Sequence, residues 1–283
     1  KKFQLRKPKK GAFMSFISGE DGSETVDDPN PEKTGQIWEA IRKGTWNPES
    51  IIFSKNGSVP LEENPEKVTS KETTSTQSDN LTSELKELKK YSEERNLIFF
   101  STPFDVKSLK NLDKLDMEIY KISSFHVTDL KLVEATASKK KPVIMSTGMS
   151  TIEEIDVAVE ILNKYDCKYL IMHCVSSYPA DPKDLNLRVI NGLRKKYNCL
   201  VGYSGHETSA NIAPSAVLYN ACAIERHFTL DRAMKGPDHA LSLAPPGMNV
   251  LIKRSKTLFD ARGKEEKFVL ESELKARKKF RGY

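Results

Sequence analysis

From Leu97 onward, short apolar runs of strand length alternate with amphipathic stretches, and the pattern recurs every roughly 20 to 30 residues, the length of one strand–helix unit. The runs are Leu97–Ser101, Ile119–Ile122, Val143–Met145, Tyr169–Cys174, Leu200–Tyr203 and Ala221–Arg226. The stretch Ser150–Tyr165 shows the intervening grammar. Ser150 and Glu153 form a capping-box pattern, after which Ile152, Ile155, Val159 and Leu162 mark one helical face. Such alternation restricts the chain to a parallel α/β sheet, open or closed. Polar residues decide between the two. Thr102, Lys121, Ser124, Ser146, Ser176, Ser204, His206 and His227 all fall at, or just past, strand C-termini. Contributions from every successive strand converge only in a closed ring, whereas an open sheet gathers them around one switch point. The predicted fold is an α/β TIM (β/α)8 barrel.

Bulk properties suit a soluble globular protein with a well-solvated surface. A chain of 283 residues, 38% hydrophobic and 30% charged, can bury one large core as a single domain spanning 1–283. It has no run of about 18 apolar residues and no signal peptide, so a membrane span is excluded and a cytoplasmic location expected. Cys167, Cys174, Cys199 and Cys222 show no CxxC spacing and read as reduced core thiols. The net charge of +6 is concentrated in Arg6–Lys10, Lys139–Lys141 and Arg277–Arg281. No aromatic-interleaved strand or recognition-helix pattern accompanies these runs, so they read as solvated surface and not as a nucleic-acid site.

Before Leu97 the grammar changes. Lys2-Phe3-Gln4 reads as the end of a strand with Lys2 and Gln4 on one face, Gly35–Lys43 as a short helix, and Ile51–Ser54 as a strand-like run. Asn56–Ser83 is rich in Ser, Thr, Glu, Lys and Asn, a composition that buries too little surface to offset chain entropy. The segment 6–83 is therefore expected to be an irregular or partly disordered excursion. A helix over Leu85–Glu94 leads into the first regular strand.

The residues around the last strand carry chemistry. Residues two apart on a strand share a face, so Glu225 and His227 point the same way, with His206 at the mouth of the preceding strand. Two imidazoles, the carboxylates of Glu225 and Asp238, and positions open to water suit Mn²⁺ or Mg²⁺ better than closed tetrahedral zinc. A single hydroxyl at a strand end most often caps the following helix. A lysine ending an apolar strand, as Lys121 does, must instead find an anionic partner or lose its charge. His173 reads as structural, His239 as ordering its own loop, and His126 as a rim residue without a role.

Several of these segments, taken in order, resemble the sialic acid synthase family. They are Ser101-Thr102-Pro103-Phe104-Asp105, Tyr120-Lys121-Ile122-Ser123-Ser124, Ser146-Thr147-Gly148-Met149 and His173-Cys174-Val175-Ser176-Ser177-Tyr178-Pro179. Asn186-Leu187-Arg188, Gly202-Tyr203-Ser204-Gly205-His206, Glu225-Arg226-His227-Phe228-Thr229 and Gly236-Pro237-Asp238-His239-Ala240-Leu241-Ser242-Leu243 continue the series. The match runs from about Glu84 to Glu273, and Lys1–Gln4 resembles the end of the family's second strand. The resemblance implies a TIM-barrel transferase that condenses phosphoenolpyruvate with N-acetylmannosamine or a related amino sugar, giving a nonulosonic acid and phosphate. Legionaminic or pseudaminic acid synthesis, or a non-catalytic barrel that only binds phosphate ligands, are the alternatives. It implies that Lys2, Thr102, Lys121, Ser124, Ser146, Ser176 and Ser204 bind phosphoenolpyruvate, and that Gln4 and Tyr178 contact the sugar. His206 and His227 would hold Mn²⁺, with Glu225 and Asp238 moving protons, in a homodimer.

The sequence departs from the family pattern in three places. The Ala-Glu-Ile-Gly strand that opens family members is expected to be absent, most simply because the sequence is truncated at its N-terminus. The barrel is therefore expected to be N-terminally incomplete, with Ile51–Ser54 or a partner chain as the other ways to close the gap. The chain is also expected to lack the C-terminal antifreeze-like domain that many members carry, and with it an arginine that contacts the sugar's N-acyl group. Ser176 stands where the family often has Asn, and Arg6–Ser83 matches no family pattern.

Overall fold

The computed structural model describes residues 13–16, 52–55, 85–94 and 97–282, apart from Lys235 and Pro237. Lys2, Gln4 and the helix expected over Gly35–Lys43 lie outside the described residues, as does most of 6–83. Within that segment, Phe13–Phe16 (β1) and Ile52–Lys55 (β2) are strands, the second one residue beyond the predicted Ile51–Ser54.

Six further strands follow: β3 (Phe99–Ser101), β4 (Tyr120–Ile122), β5 (Val143–Ser146), β6 (Tyr169–Cys174), β7 (Leu200–Gly205) and β8 (Ile224–Arg226). All fall within or at the edge of the predicted runs. Together the eight form one sheet in the order β3-β2-β1-β8-β7-β6-β5-β4, and the two end strands, β3 and β4, lie against each other. The sheet therefore curls round. Strands β4 to β8 pair in parallel and in sequence, and β2 is parallel to β3. The expectation of a wholly parallel sheet fails at β1, which runs antiparallel to both β2 and β8. An antiparallel strand satisfies the N–H and C=O rows of both neighbours, which would otherwise be open edges.

Period-two alternation splits the core into two layers. One cluster gathers Phe100, Ile119, Ile144, Leu170, Met172 and Ala223, the side chains from one face of the curled sheet. The larger cluster joins the opposite face, including Tyr120, Ile122, Val143, Met145, Ile171, Val201, Tyr203 and Ile224, to residues of the surrounding helices such as Leu109, Leu132, Val133, Ile155, Val159, Ile190 and Leu251. The inner layer is narrow. A β-carbon on Gly202 would stand 2.4 Å from the Met172 sulfur and 2.9 Å from the Ala223 β-carbon, so glycine makes room for Met172 there.

The helices after β3, β4 and β5 start on side chains that lie after the strand-end residues. Asp105, Asp129 and Thr151 cap Val106–Asp113, Leu130–Ala137 and Ile152–Lys164. The third start is one residue later than the sequence pattern predicts. Thr151 Oγ1 accepts from the Glu154 N–H at 3.3 Å, and the Glu154 carboxylate accepts from the Thr151 N–H at 2.7 Å. Met149 takes a left-handed φ of 63°, and the turn it makes leaves Ser150 donating back to the Gly148 carbonyl. Of the basic runs, Lys139 and Lys141 pair with Asp113 and Asp116 at 2.6 Å each, while Arg277–Arg281 lies on the exposed helix Glu271–Arg281. Arg6–Lys10 lies outside the described residues. All four cysteines are free, Cys167 and Cys174 buried and Cys199 and Cys222 half-buried. Among the described residues no helix is long and apolar enough to cross a membrane.

Candidate active site

On each regular strand the face that is apolar at its start turns polar at its end. Ile119 is followed two residues on by Lys121, Ile144 by Ser146, Met172 by Cys174, Gly202 by Ser204 and His206, and Ala223 by Glu225 and His227. The register sets Ser204 beside Glu225, and Lys121 beside Ile144, one strand-step from Ser146. The predicted strand-end residues therefore share one face and one end of the sheet.

Lys121 stands at the centre. Its side chain is buried, and its Nζ donates to Ser146 Oγ at 2.6 Å and lies 3.7 Å from Glu225 Oε2. Ser204 Oγ donates to the other carboxylate oxygen at 2.9 Å. Burial works to raise the Glu225 pKa. The Lys121 cation and the Ser204 hydroxyl lead the interactions that outweigh it and hold the carboxyl below its ordinary value. A buried cation with one carboxylate at ion-pair distance and a hydroxyl alongside is suited to a small polyanion.

A second group adjoins it. Ser124 Oγ accepts from the Gly148 N–H at 2.9 Å. A β-carbon on Gly148 would come within 2.1 Å of Ser176 Oγ and 3.0 Å of Ser124 Oγ, so these two hydroxyls close over bare backbone. Cys174 Sγ lies 4.0 Å from Ser176 Oγ and 3.8 Å from His206 Nδ1, joining the hydroxyl group to the imidazoles. None of Thr102, Ser124, Ser146, Ser176 and Ser204 caps a described helix; the side-chain caps after β3, β4 and β5 are Asp105, Asp129 and Thr151, and Asp181 caps the short turn Pro182–Asp184. The ordinary explanation for strand-end hydroxyls is thus removed. Thr102 is buried past β3, but among the described residues no hydrogen bond or ion pair joins it to the cluster.

His206 and His227 face each other edge-on, ring centroids 5.1 Å apart. His206 Nδ1 hydrogen-bonds the Val175 carbonyl at 2.8 Å, which assigns the proton to Nδ1 and leaves Nε2 with its lone pair. Burial disfavours the charged form of His206, but the Cys174 sulfur and that carbonyl outweigh it and raise its pKa. Burial and the neighbouring His206 drive His227 the other way, down to about 3, so it is neutral. Tyr178 stacks at 4.1 Å from the His206 ring and 5.9 Å from His227, and burial raises its phenol pKa. Asp238 Oδ2 lies 3.8 Å from His227 Nδ1, and burial raises the Asp238 pKa. No three His, Cys, Asp or Glu side chains among the described residues gather closely enough to hold a metal ion by themselves. Two imidazoles with positions open to water or ligand oxygens could hold a divalent metal ion.

The remaining histidines make local contacts. His173 is buried with Nε2 on the Leu185 carbonyl at 2.7 Å, and His239 Nδ1 meets Thr229 Oγ1 at 2.7 Å within its own loop. His126 Nδ1 meets Ser123 Oγ at 2.8 Å under the edge of Phe104.

Sequence reasoning missed Cys174, Gly148 and a buried pair on the opposite face, Glu207 and Arg226. Arg226 Nη1 donates to Glu207 Oε1 at 2.9 Å, and both side chains are almost wholly excluded from solvent. Parity carried the signal: Arg226 lies between Glu225 and His227 in a buried strand, so it faces away from them and needs its own anion.

The NeuB family profile matches residues 38–267. The chain is 37% identical over 193 residues to N,N'-diacetyllegionaminic acid synthase of Campylobacter jejuni, covering 67% of this chain and 58% of that protein. It is 39% identical over 167 residues to N-acetylneuraminate-9-phosphate synthase of Drosophila melanogaster, covering 58% of this chain and 45% of that one. The chain thus spans about half the length of these curated relatives. The crystal structure of N-acetylneuraminic acid synthetase from Leptospira borgpetersenii serovar Hardjo-bovis, in complex with citrate, superposes with a TM-score of 0.66 at 35% identity, covering 71% of each chain. A curled α/β sheet, a polar cluster at its strand ends and a profile match over most of the length lead to one assignment: the chain belongs to the NeuB, or sialic acid synthase, family.

Proposed function

We propose that the chain is a nonulosonic acid synthase built on a (β/α)8 barrel, condensing phosphoenolpyruvate with an N-acylated amino sugar of the N-acetylmannosamine type. The observation that carries this reading is the placement of Lys121, Glu225, His206 and His227 on one face at one end of the sheet, with hydroxyls between them. Lys121, Ser124, Ser146, Ser176 and Ser204 bind the phosphate and carboxylate of phosphoenolpyruvate, which needs a cation and hydroxyl donors. Thr102 and Lys2 would join them. Tyr178 and Gln4 contact the sugar.

His206 and His227 would hold the divalent metal, Mn²⁺ or Mg²⁺, which when bound supplies Lewis acidity toward an aldehyde. The hydroxyls and Lys121 hold phosphoenolpyruvate with its methylene carbon toward the sugar's aldehyde carbon, where the new C–C bond forms. Water adds to the carbon that bears the phosphate oxygen, and phosphate leaves as the C–O bond to it breaks, yielding the keto acid. Asp238, beside His227, delivers the proton that the new alkoxide takes up, and Glu225, beside Ser204 and Lys121, accepts one from the attacking water.

The test is phosphate release from phosphoenolpyruvate with Mn²⁺ and N-acetylmannosamine, each omitted in turn. Release that needs all three supports the reading. No release with any amino sugar, although phosphoenolpyruvate binds, would make this a ligand-binding barrel instead. The similarity to the Campylobacter enzyme favours a second substrate, a diacetylated amino sugar of the legionaminic type, and turnover of that sugar alone would select it.

A further inference from the structure

We infer that Glu207 and Arg226 form a positioning clamp that sets the spacing of His206 and His227 from the far side of the sheet. This rests on the proposed metal-binding role of the two imidazoles. Glu207 follows His206 directly, and Arg226 directly precedes His227. The clamp grips main chain as well as side chain. Arg226 Nη2 donates to the Glu207 carbonyl oxygen, and Nη1 donates to the Ser209 carbonyl at 3.0 Å and to Glu207 Oε1 at 2.9 Å. Tyr203 Oη closes the set on Glu207 Oε2 at 3.0 Å. One planar guanidinium therefore ties the chain just past His206 to the strand just before His227.

Gly205 supports this arrangement. It pairs with Arg226 in the β7–β8 register, and a β-carbon there would stand 2.5 Å from Glu207 Oε2 and 2.8 Å from the Tyr203 ring. Only bare backbone lets the clamp sit against the strand end. Thermodynamics argues that the pair is present for geometry. A buried ion pair is seldom more stabilising than apolar residues of the same volume, whereas its fork of directed hydrogen bonds fixes positions that apolar packing leaves loose. A flanking hydrogen-bond partner that orients a ligand typically changes metal affinity by about 10- to 100-fold when removed.

The test compares Glu207→Gln, Arg226→Lys and Arg226→Met with the wild-type protein by three measurements. These are the unfolding midpoint, Mn²⁺ titration followed by the electron paramagnetic resonance of the free ion, and the imidazole resonances of His206 in the metal-free protein. The clamp predicts a loss in Mn²⁺ affinity of about 10- to 100-fold in variants that remain folded, with phosphoenolpyruvate affinity retained. It also predicts that the exchange-protected Nδ1 proton of His206 loses its protection. Arg226→Lys keeps the charge without the fork, so it stays folded and shows the same loss even if Arg226→Met fails to fold. Lower midpoints with wild-type Mn²⁺ affinity and an unchanged His206 resonance would overturn the clamp and leave a purely structural ion pair. If the wild-type protein takes up no Mn²⁺, the metal reading fails and the metal-free resonance alone decides the clamp.

Discussion

The two faces of β7 and β8 hold the same kinds of group to different ends. On the outer face, Tyr203, Glu207 and Arg226 form a closed set in which the Glu207 carboxylate takes one partner on each oxygen and the guanidinium reaches two main-chain carbonyls. On the inner face, Ser204, His206, Glu225 and His227 hold one another more loosely. Lys121 stands 3.7 Å from its carboxylate, and Asp238 stands 3.8 Å from the imidazole. The outer set is held by short hydrogen bonds, with Arg226 Nε alone left buried without a partner, whereas the inner one includes charge contacts as long as 3.7 and 3.8 Å. Adjacent residues in one strand thus separate holding the fold from the proposed chemistry, because consecutive side chains leave a strand on opposite sides.

Substitutions should split along the same line. His227→Ala removes one proposed metal donor from the inner face, and the proposed turnover should fall on the order of 10³-fold, equivalent to about 4 kcal/mol, while the unfolding midpoint holds. Arg226→Ala acts on the outer face. It leaves the Glu207 carboxylate buried without its cation and should cost about 3–5 kcal/mol of stability, measured by denaturant unfolding. If Arg226→Ala spared stability and His227→Ala unfolded the protein, the division between faces would be wrong.

Smaller effects sharpen it. Gly148→Ala drives a methyl into Ser176 Oγ, and overpacking there should cost about 1–3 kcal/mol, read in the unfolding midpoint together with weakened phosphoenolpyruvate binding. The least should come from the rim of the fold, where Asp113 accepts from Lys139 at 2.6 Å and from Tyr120 Oη at 2.9 Å. The Lys139 hydrogen bond outweighs desolvation and lowers the Asp113 pKa. A lowered carboxyl pKa lends stability that is present above the unfolded value of about 4 and lost as pH falls through the folded one. For a pair this exposed the loss should stay below about 1 kcal/mol, and Asp113→Asn should flatten that part of the stability–pH curve.

What was legible in the sequence follows the same physics. Parallel strands buried on both faces are continuous apolar runs, so β3 to β8 could be read from Leu97 onward, and Tyr169–Cys174 to the residue. The inner-face site was legible because lysine, histidine and glutamate are out of place at the end of an apolar run. The outer-face pair was not, since Arg226 and Glu207 find each other only through a register that two separate segments share. Strand β1 escaped for a related reason: Phe13–Phe16 is short, stands alone, and gains its partners from β2 and β8 far along the chain. The helix starting at Ile152 was displaced by one residue because nothing local announces the left-handed turn at Met149.

The central claim, that Lys121 sits on the inner face to hold an anionic substrate, is tested most directly by titrating phosphoenolpyruvate and the amino sugar separately into wild-type protein and Lys121→Ala. Losing a charge-assisted hydrogen bond should weaken phosphoenolpyruvate binding by about 10- to 100-fold and leave sugar affinity unchanged. Equal weakening of both ligands, in step with a lower unfolding midpoint, would show that Lys121 only holds the sheet together.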